Sequence, residues 1–456
     1  MIEKVLVANR GEIAVRIIRA CQEMGIETVA VYSTVDKEAL HVELADEAVC
    51  IGGPLSKNSY LNMENIISAA VLTGCDALHP GFGFLSENAK FADICSKCGI
   101  TYIGPTAKTI EQMGDKAKAR KIMIEAGIPV VPGSEGAVDD LSEVYEIAER
   151  IGYPVLLKAS AGGGGRGMRV AYTKEELSDA FRTASSEALS AFGDGSMYVE
   201  KYIQNPRHIE FQILGDTFGN IIHLGERDCS LQRRHQKVLE EAPSPALSNQ
   251  LRKEMGNTSI KAAKAADYQN AGTVEFILDQ EEHFYFIEMN TRIQVEHPIT
   301  EMVTGVDLIK EQIRIASGKV LSLKQEQVQI KGHAIECRIN AENPELDFRP
   351  CAGTVKELYL PGGRGIRVDS ALYEGYRIPP QYDSMLAKII AYGETREDAI
   401  NIMKRALGEV SIEGVHTNIY FEYQLLNEPA FREGTFDTGF IETHLHDILG
   451  GEVNEA

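Results

Sequence analysis

The run Phe284-Tyr-Phe-Ile-Glu288-Met-Asn290-Thr-Arg292-Ile-Gln294-Val-Glu296-His297 concentrates more reactive side chains than any other part of the chain. An apolar strand carries a carboxylate out to its end. An amide, a guanidinium, a second amide, a second carboxylate and an imidazole follow. Core strands exclude such groups, because unpaired buried charge is costly. Gathered at a strand end, they suit a site that binds a metal ion and handles anions.

Glu275 belongs with them. It lies in Val274-Glu-Phe-Ile-Leu278, which pairs by pattern with Phe284-Tyr-Phe-Ile-Glu288. A hairpin centred on Glu281 and Glu282 sets Glu275 opposite Glu288, where two carboxylates repel unless a cation lies between them. Mg2+ shared by a few carboxylates and nucleotide phosphate oxygens meets that need. The plainer alternative, two solvated strand residues, fits poorly with such apolar neighbours.

Lys158 ends the strand Val155-Leu-Leu-Lys158, and a loop with Gly162, Gly163, Gly164, Gly165, Arg166 and Gly167 follows. Glycines leave backbone N–H groups uncovered and free to approach a phosphate, with Lys158 as the point charge. No Gly-Lys-Ser/Thr follows, so this is not a P-loop. The first βα turn reads Asn9-Arg10-Gly11-Glu12, which excludes the dinucleotide fingerprint. The alternative is a flexible surface loop. A basic run, Gln232-Arg233-Arg234-His235-Gln236-Lys237, reverses the field locally and could hold bicarbonate, phosphate or a carboxylate. It could equally be a solvated loop. His208, Glu200 and Lys201 say little one by one.

The elements that must carry these groups follow from periodicity. Val5–Ala8, Thr28–Tyr32, Asp76–His79 and Ile100–Ile103 read as strands, separated by helices near residues 11–24, 64–72 and 88–98. That alternation implies an α/β fold opening with a doubly wound parallel sheet, whose ligands gather beyond the carboxyl ends of strands. The segment His79-Pro-Gly-Phe82-Gly-Phe84-Leu-Ser-Glu87-Asn88 lies at one such end. Past residue 113 a charged helix and a proline connector lead to a compact segment, about 131–203, that resembles an inserted lid. Strands then dominate. Residues 331–447 form a last mixed α+β region, and 448–456 a tail.

The chain has 456 residues and a formal net charge of −21, which argues against nucleic-acid and anionic-membrane binding. Its eight cysteines are scattered except for Cys95-x-x-Cys98, which lacks the second pair a zinc site needs; packed, reduced thiols are expected. The start, Met1-Ile-Glu-Lys-Val-Leu-Val-Ala-Asn9-Arg10, is broken too early to read as a secretion signal, and no apolar run approaches the length needed to span a membrane. The expected location is cytoplasmic.

Taken together, His79–Asn88, Lys158–Met168 and Glu288–His297, in this order and spacing, resemble the biotin carboxylases of the ATP-grasp superfamily. The likeness runs from Val5 to about Asp447, and the length resembles the free-standing subunit of a bacterial acetyl-CoA carboxylase. The resemblance implies an N-terminal domain at 1–112, an ATP-grasp domain with a mobile lid at 113–330 and a C-terminal domain at 331–447. It implies an ATP-dependent ligase that carboxylates biotin through carboxyphosphate. ATP would be bound by Lys116, Lys158, Gly163, Gly164, Gly165, Glu200, Lys201, Ile203, His208, Gln232, His235, Ile277 and Ile287. Glu275, Glu288 and Asn290 would hold Mg2+ or Mn2+, at two sites. Lys237, Arg292, Gln294 and the backbone of Val295 would bind bicarbonate, Glu296 would be the general base, and Arg338 would face the biotin ureido oxygen. Phe82 would lie at the biotin site, where relatives more often carry Tyr, so a hydroxyl contact to biotin is not expected from it. Arg364 replaces a residue that is apolar in some relatives.

The implied partners are a biotin carboxyl carrier protein, since no Ala-Met-Lys-Met motif is present, the carboxyltransferase subunits, and a second copy of the chain near Arg19 and Glu23. A subunit of a pyruvate or other acyl-CoA carboxylase would look the same. A carbamoyl-phosphate synthetase-like ligase would carry two such units in tandem. A regulatory nucleotide-binding module would not need a base.

Overall fold

The computed structural model describes residues 2–159, 167–192 and 194–450. The chain divides into two compact units. One comprises Met1–Ala119, Arg207–Glu275 and Glu288–Ala456, the other Arg120–Pro206 and Phe276–Ile287.

In the first unit, β1 (Lys4–Val7), β2 (Glu27–Ser33), β3 (Glu47–Gly52), β4 (Ala77–His79) and β5 (Thr101–Tyr102) form a parallel sheet in the order β3-β2-β1-β4-β5. Val5, Leu6 and Val7 are fully buried, as in a parallel sheet covered on both faces. The helix Gly11–Glu23 buries Ile13, Ala14, Ile17, Ile18 and Cys21, the stripe its sequence spacing requires. Asn88 caps the helix Ala89–Lys97 by accepting from the Phe91 N–H. Cys95 on that helix is buried, whereas Cys98 at its end is exposed, so only one of the pair is packed as expected.

The loop after β4 is pinned where the sequence placed a ligand-facing end. Asn9 Nδ2 donates to the carbonyls of Pro80 and Phe82, each at 2.7 Å. Gly81 has φ +63°, and a Cβ there would meet Asn9 Nδ2 at 2.9 Å, so a side chain would break this clasp.

The second unit holds an antiparallel sheet of β6 (Val155–Ala159), β7 (Met168–Ala171) and β8 (Met197–Lys201) in the order β7-β6-β8. The helices Leu141–Ile151 and Lys174–Phe192 pack on it through Val144, Ile147, Leu177, Phe181 and Ala184. Gly163, Gly164, Gly165 and Arg166 lie outside the described residues.

The remaining strands are β9 (Arg207–Gly215), β10 (Ile221–Arg233), β11 (Gln236–Ala242), β12 (Asn270–Leu278), β13 (Phe284–Asn290), β14 (His333–Asn340), β15 (Glu342–Asn343), β16 (Arg349–Pro350), β17 (Glu357–Tyr359), β18 (Ile366–Ser370), β19 (Met385–Gly393) and β20 (Ser411–Glu413). Among the described residues the large sheet runs β13-β12-β9-β10-β11-β14-β19-β18, while β15 pairs β16 and β17 pairs β20. Alternation sorts its faces. Ile335, Cys337, Ile339, Leu239, Ala387 and Ile389 enter one hydrophobic core. On the opposite face Asp369, Lys388 and Arg338 stand side by side in register, and Glu240 stands opposite Glu336.

The turn between β12 and β13 differs from the sequence expectation. Asp279 N–H donates to the His283 carbonyl at 2.9 Å, Glu282 N–H donates to the Asp279 carbonyl at 3.3 Å, and Glu282 has φ +64°. This is a three-residue loop centred on Glu281, not on the Glu281–Glu282 peptide. A left-handed residue other than glycine left no mark in the sequence.

Candidate active site

Lys237, near the start of β11, is the cation around which the first unit's carboxylates gather. Its Nζ lies 2.5 Å from Glu210 Oε2, 2.7 Å from Glu296 Oε1 and 3.2 Å from Glu275 Oε1. Three carboxylates exceed one ammonium, and each has a second cationic or donor partner. Glu210 accepts from Arg227 Nε at 2.5 Å, Glu296 from Arg338 Nη2 at 3.0 Å, and Glu275 Oε2 lies 2.9 Å from His208 Nε2. Burial works to raise the Glu296 carboxyl, but the charges of Lys237, Arg338 and Arg227 hold it well below the usual range. Glu275 behaves likewise: burial opposes ionisation, and Lys237 and His208 outweigh it. Burial alone would lower His208; the charge and hydrogen bond of Glu275 raise it instead. Gln232 Nε2 donates to His208 Nδ1 at 2.9 Å, which leaves Nε2 to face Glu275.

Arg338, on β14, is gripped by two acids, since its Nε donates to Glu240 Oε1 at 2.6 Å while Nη2 reaches Glu296. Fixed between them, the guanidinium presents its plane at one defined place.

Arg292 donates from Nε to Glu87 Oε2 at 2.9 Å and from Nη2 to Asn290 Oδ1 at 3.2 Å. Phe82 is half-buried and packs on the N-terminal core. The Val295 carbonyl accepts from Lys388 Nζ at 2.8 Å, and Lys388 itself is fully buried beside Glu12 at 3.2 Å. Gln294 is buried, with Nε2 donating to Glu275 Oε1 at 2.8 Å.

The donor types of Glu275, Glu288 and Asn290, the residues expected to hold a metal, suit a hard divalent cation. Asn290 Nδ2 donates to Glu275 Oε1 at 2.8 Å, so amide and carboxylate share one face despite the shifted turn. Glu288 Oε2 lies 3.6 Å from Lys116 Nζ. Burial, and then the Glu275 charge, push the Glu288 carboxyl up. The Glu275 charge disfavours ionisation of Glu288, and the Asn290 amide turns its NH2 to Glu275 and its oxygen to Arg292; turning that amide over would complete the all-oxygen donor set that Mg2+ or Mn2+ takes. His208, Glu210 and Glu275 also cluster closely enough for a metal, but Lys237 already neutralises the last two.

Not every expected residue is drawn in. His235 is exposed at the tip of the β10–β11 turn, where Arg234 and His235 have φ +49° and +63°. In the second unit, Lys158 Nζ pairs with Glu200, and Lys201 Nζ donates to the carbonyls of Tyr153 at 2.7 Å and Gly152 at 3.1 Å. Ile203, Ile277 and Ile287 are half-buried, as apolar walls would be.

Sequence reasoning missed Glu210, Arg227, Glu240 and Lys388. Their only signal was charge inside otherwise apolar strands, such as Ile209-Glu-Phe-Gln-Ile-Leu214.

Residues 1–110 match the model of the biotin carboxylase N-terminal domain, 115–324 that of the carbamoyl-phosphate synthase L chain ATP-binding domain, and 336–443 that of the biotin carboxylase C-terminal domain. The chain is 60% identical over 451 residues to biotin carboxylase 1 of Bacillus subtilis, spanning 99% of this chain and 100% of that protein. It is 54% identical over 447 residues to the 2-oxoglutarate carboxylase small subunit of Hydrogenobacter thermophilus, covering 98% and 94%. The solved biotin carboxylase domain of thermophilic 2-oxoglutarate carboxylase bound to bicarbonate superposes with a TM-score of 0.95 at 52% identity, covering 98% and 99%. With such relatives aligned along nearly its whole length, and both terminal domains matched around an ATP-binding one, the chain belongs to the biotin carboxylase family.

Proposed function

We propose that this biotin carboxylase, an ATP-dependent ligase, carboxylates biotin on a separate carrier protein as the first half-reaction of acetyl-CoA carboxylase. The observation that carries the chemistry is Glu296, held ionised between Lys237 Nζ at 2.7 Å and Arg338 Nη2 at 3.0 Å.

Bicarbonate is a poor electrophile and must be activated. In this reading Lys237, Arg292, Gln294 and the Val295 N–H hold it, and Glu296 takes its proton. Of the cations that depress Glu296, Lys237 is the one an incoming bicarbonate would engage. As Lys237 turns to bicarbonate, Glu296 regains basicity at the moment it is needed. The bicarbonate oxygen then attacks the γ-phosphorus of ATP, giving carboxyphosphate and ADP. Lys116, Lys158, Gly163, Gly164, Gly165, His208, Gln232 and His235 bind the nucleotide's polar parts. Glu200, Lys201, Ile203, Ile277 and Ile287 receive the adenine. Mg2+ held by Glu275, Glu288 and Asn290 would supply neutralising charge for the phosphoryl oxygens. Carboxyphosphate gives CO2 and phosphate, phosphate takes the biotin N1 proton, and Arg338 stabilises the enolate-like ureido oxygen while N1 attacks CO2.

ATP hydrolysis measured with Mg2+ and bicarbonate, with and without free biotin, tests this. Biotin stimulation that needs bicarbonate, and falls about a hundredfold or more in Glu296→Gln, is expected. Bicarbonate-dependent hydrolysis indifferent to both biotin and biotinylated carrier would instead indicate another bicarbonate-phosphorylating ligase. Relatives that serve 2-oxoglutarate and pyruvate carboxylases make the final acceptor a separate question. Reconstitution with carboxyltransferase subunits and acetyl-CoA, pyruvate or 2-oxoglutarate answers it. A homodimer is part of the proposal, formed over the depression of about 330 Å³ lined by Arg16, Arg19, Glu23, Asp307 and Arg367.

A further inference from the structure

Arg227 belongs to no sequence motif, and beyond its pairing with Glu210 and its charge near Glu296 it has no assigned part in the chemistry, yet it is fully buried beneath the bicarbonate residues. A guanidinium has five N–H donors and no acceptor, and all five are used. Nε donates to Glu210 Oε1 at 2.5 Å. Nη1 donates to Gln212 Oε1 at 2.8 Å and Thr300 Oγ1 at 3.0 Å. Nη2 donates to Gln294 Oε1 at 2.7 Å and Thr273 Oγ1 at 3.1 Å. Filling space would not require this, since apolar side chains of similar volume often stabilise as well as a buried ion pair.

Two of these bonds lead straight to the anion-binding groups. A free glutamine amide can sit either way round. Facing a group that only donates, Gln294 must present its oxygen, which turns its NH2 toward Glu275 and the bicarbonate side. Glu210 is divided in the same manner: Oε1 is taken by Arg227, so Oε2 remains to anchor Lys237 Nζ at 2.5 Å. A third bond reaches Thr300 in the helix His297–Thr304, which starts just after Glu296.

We infer that Arg227 is a positioning residue for bicarbonate: it fixes the Gln294 amide with its donor edge toward the anion and, through Glu210, sets the place of the Lys237 ammonium. This rests on the bicarbonate site proposed above. Arg227 itself touches no substrate.

The test is steady-state ATP hydrolysis by the full chain, with bicarbonate and ATP varied separately. Arg227→Lys keeps a cation against Glu210 but loses the fork. The expected result is a bicarbonate KM raised about tenfold or more, with the ATP KM changed less than about twofold. Gln294→Glu keeps an acceptor for Arg227 but removes the donor edge, so bicarbonate saturation should be lost in a folded protein. If Gln294→Glu and Lys237→Gln both leave the bicarbonate KM unchanged, the site reading itself is wrong. If both raise it while folded Arg227→Lys does not, Arg227 is only a structural partner and the inference fails. Should Arg227→Lys not fold, the double variant Thr273→Val with Thr300→Val removes two acceptors and no charge. A bicarbonate-specific KM rise there supports the inference; equal changes for ATP and bicarbonate, or none, overturn it.

Discussion

Glu240 shows how a single buried acid can set a pH response. Burial raises its carboxyl, Arg338 opposes the rise and Glu296 adds to it, and together they carry it from 4.5 to about 7. The folded chain therefore keeps a proton that the unfolded chain has released. Stability should fall as pH rises from about 4.5 to about 7, by up to roughly 3 kcal/mol from this group. Glu240→Gln should flatten that part of the profile, as read from urea midpoints between about pH 5 and pH 8. An unchanged slope would mean that Glu240 ionises normally. Glu296 works in the opposite sense. Its depressed carboxyl contributes stability above the ordinary carboxylate range, and that contribution is lost on acidification through its folded pKa. Glu296 was legible in the sequence because its motif is dense and contiguous. Glu240 was not, because a charge in a strand looks the same on paper whether it faces water or Arg338.

At the scale of elements, register is what the sequence left open. The strands flanking Glu275 and Glu288 could be read from their apolar runs, but the turn joining them could not, since Glu282 occupies the left-handed position at φ +64°. Glycine there relieves that conformation, so Glu282→Gly should raise stability by a few tenths to about 1 kcal/mol; a clear loss in thermal midpoint would refute the strain argument. The charged stripe across β14, β19 and β18 was invisible for the same reason: only pairing brings Arg338, Lys388 and Asp369 abreast. Lys388 joins that stripe to Glu12 of the helix Gly11–Glu23 and to the Val295 carbonyl. Lys388→Met should cost about 3–5 kcal/mol by leaving Glu12 buried without its partner. Adding Glu12→Gln should return much of the loss, a non-additivity that a double-mutant cycle of unfolding measurements would detect.

For the whole molecule, a net charge of −21 surrounds a site meant for anions. The local cations bind them, while the long-range field opposes their approach. Raising ionic strength from about 10 to about 100 mM screens that field, and kcat/KM for ATP should rise about twofold. A fall would show that the cations near the site govern encounter as well as binding. Overall composition supplied the sign of this effect, and the basic run at residues 232–237 supplied its local exception; the distribution of charge between them had to be seen in three dimensions. The facing acids Glu240 and Glu336, both driven upward by burial, have a further consequence. A carboxyl that keeps its proton at neutral pH, as Glu336 does, absorbs infrared light as a C=O stretch well separated from ionised carboxylates, and that band moves in heavy water. The enzyme thus carries a built-in vibrational reporter beside Arg338, one that Glu336→Gln would dim and that, on the role proposed for Arg338, would follow the arrival of biotin in real time without any added label.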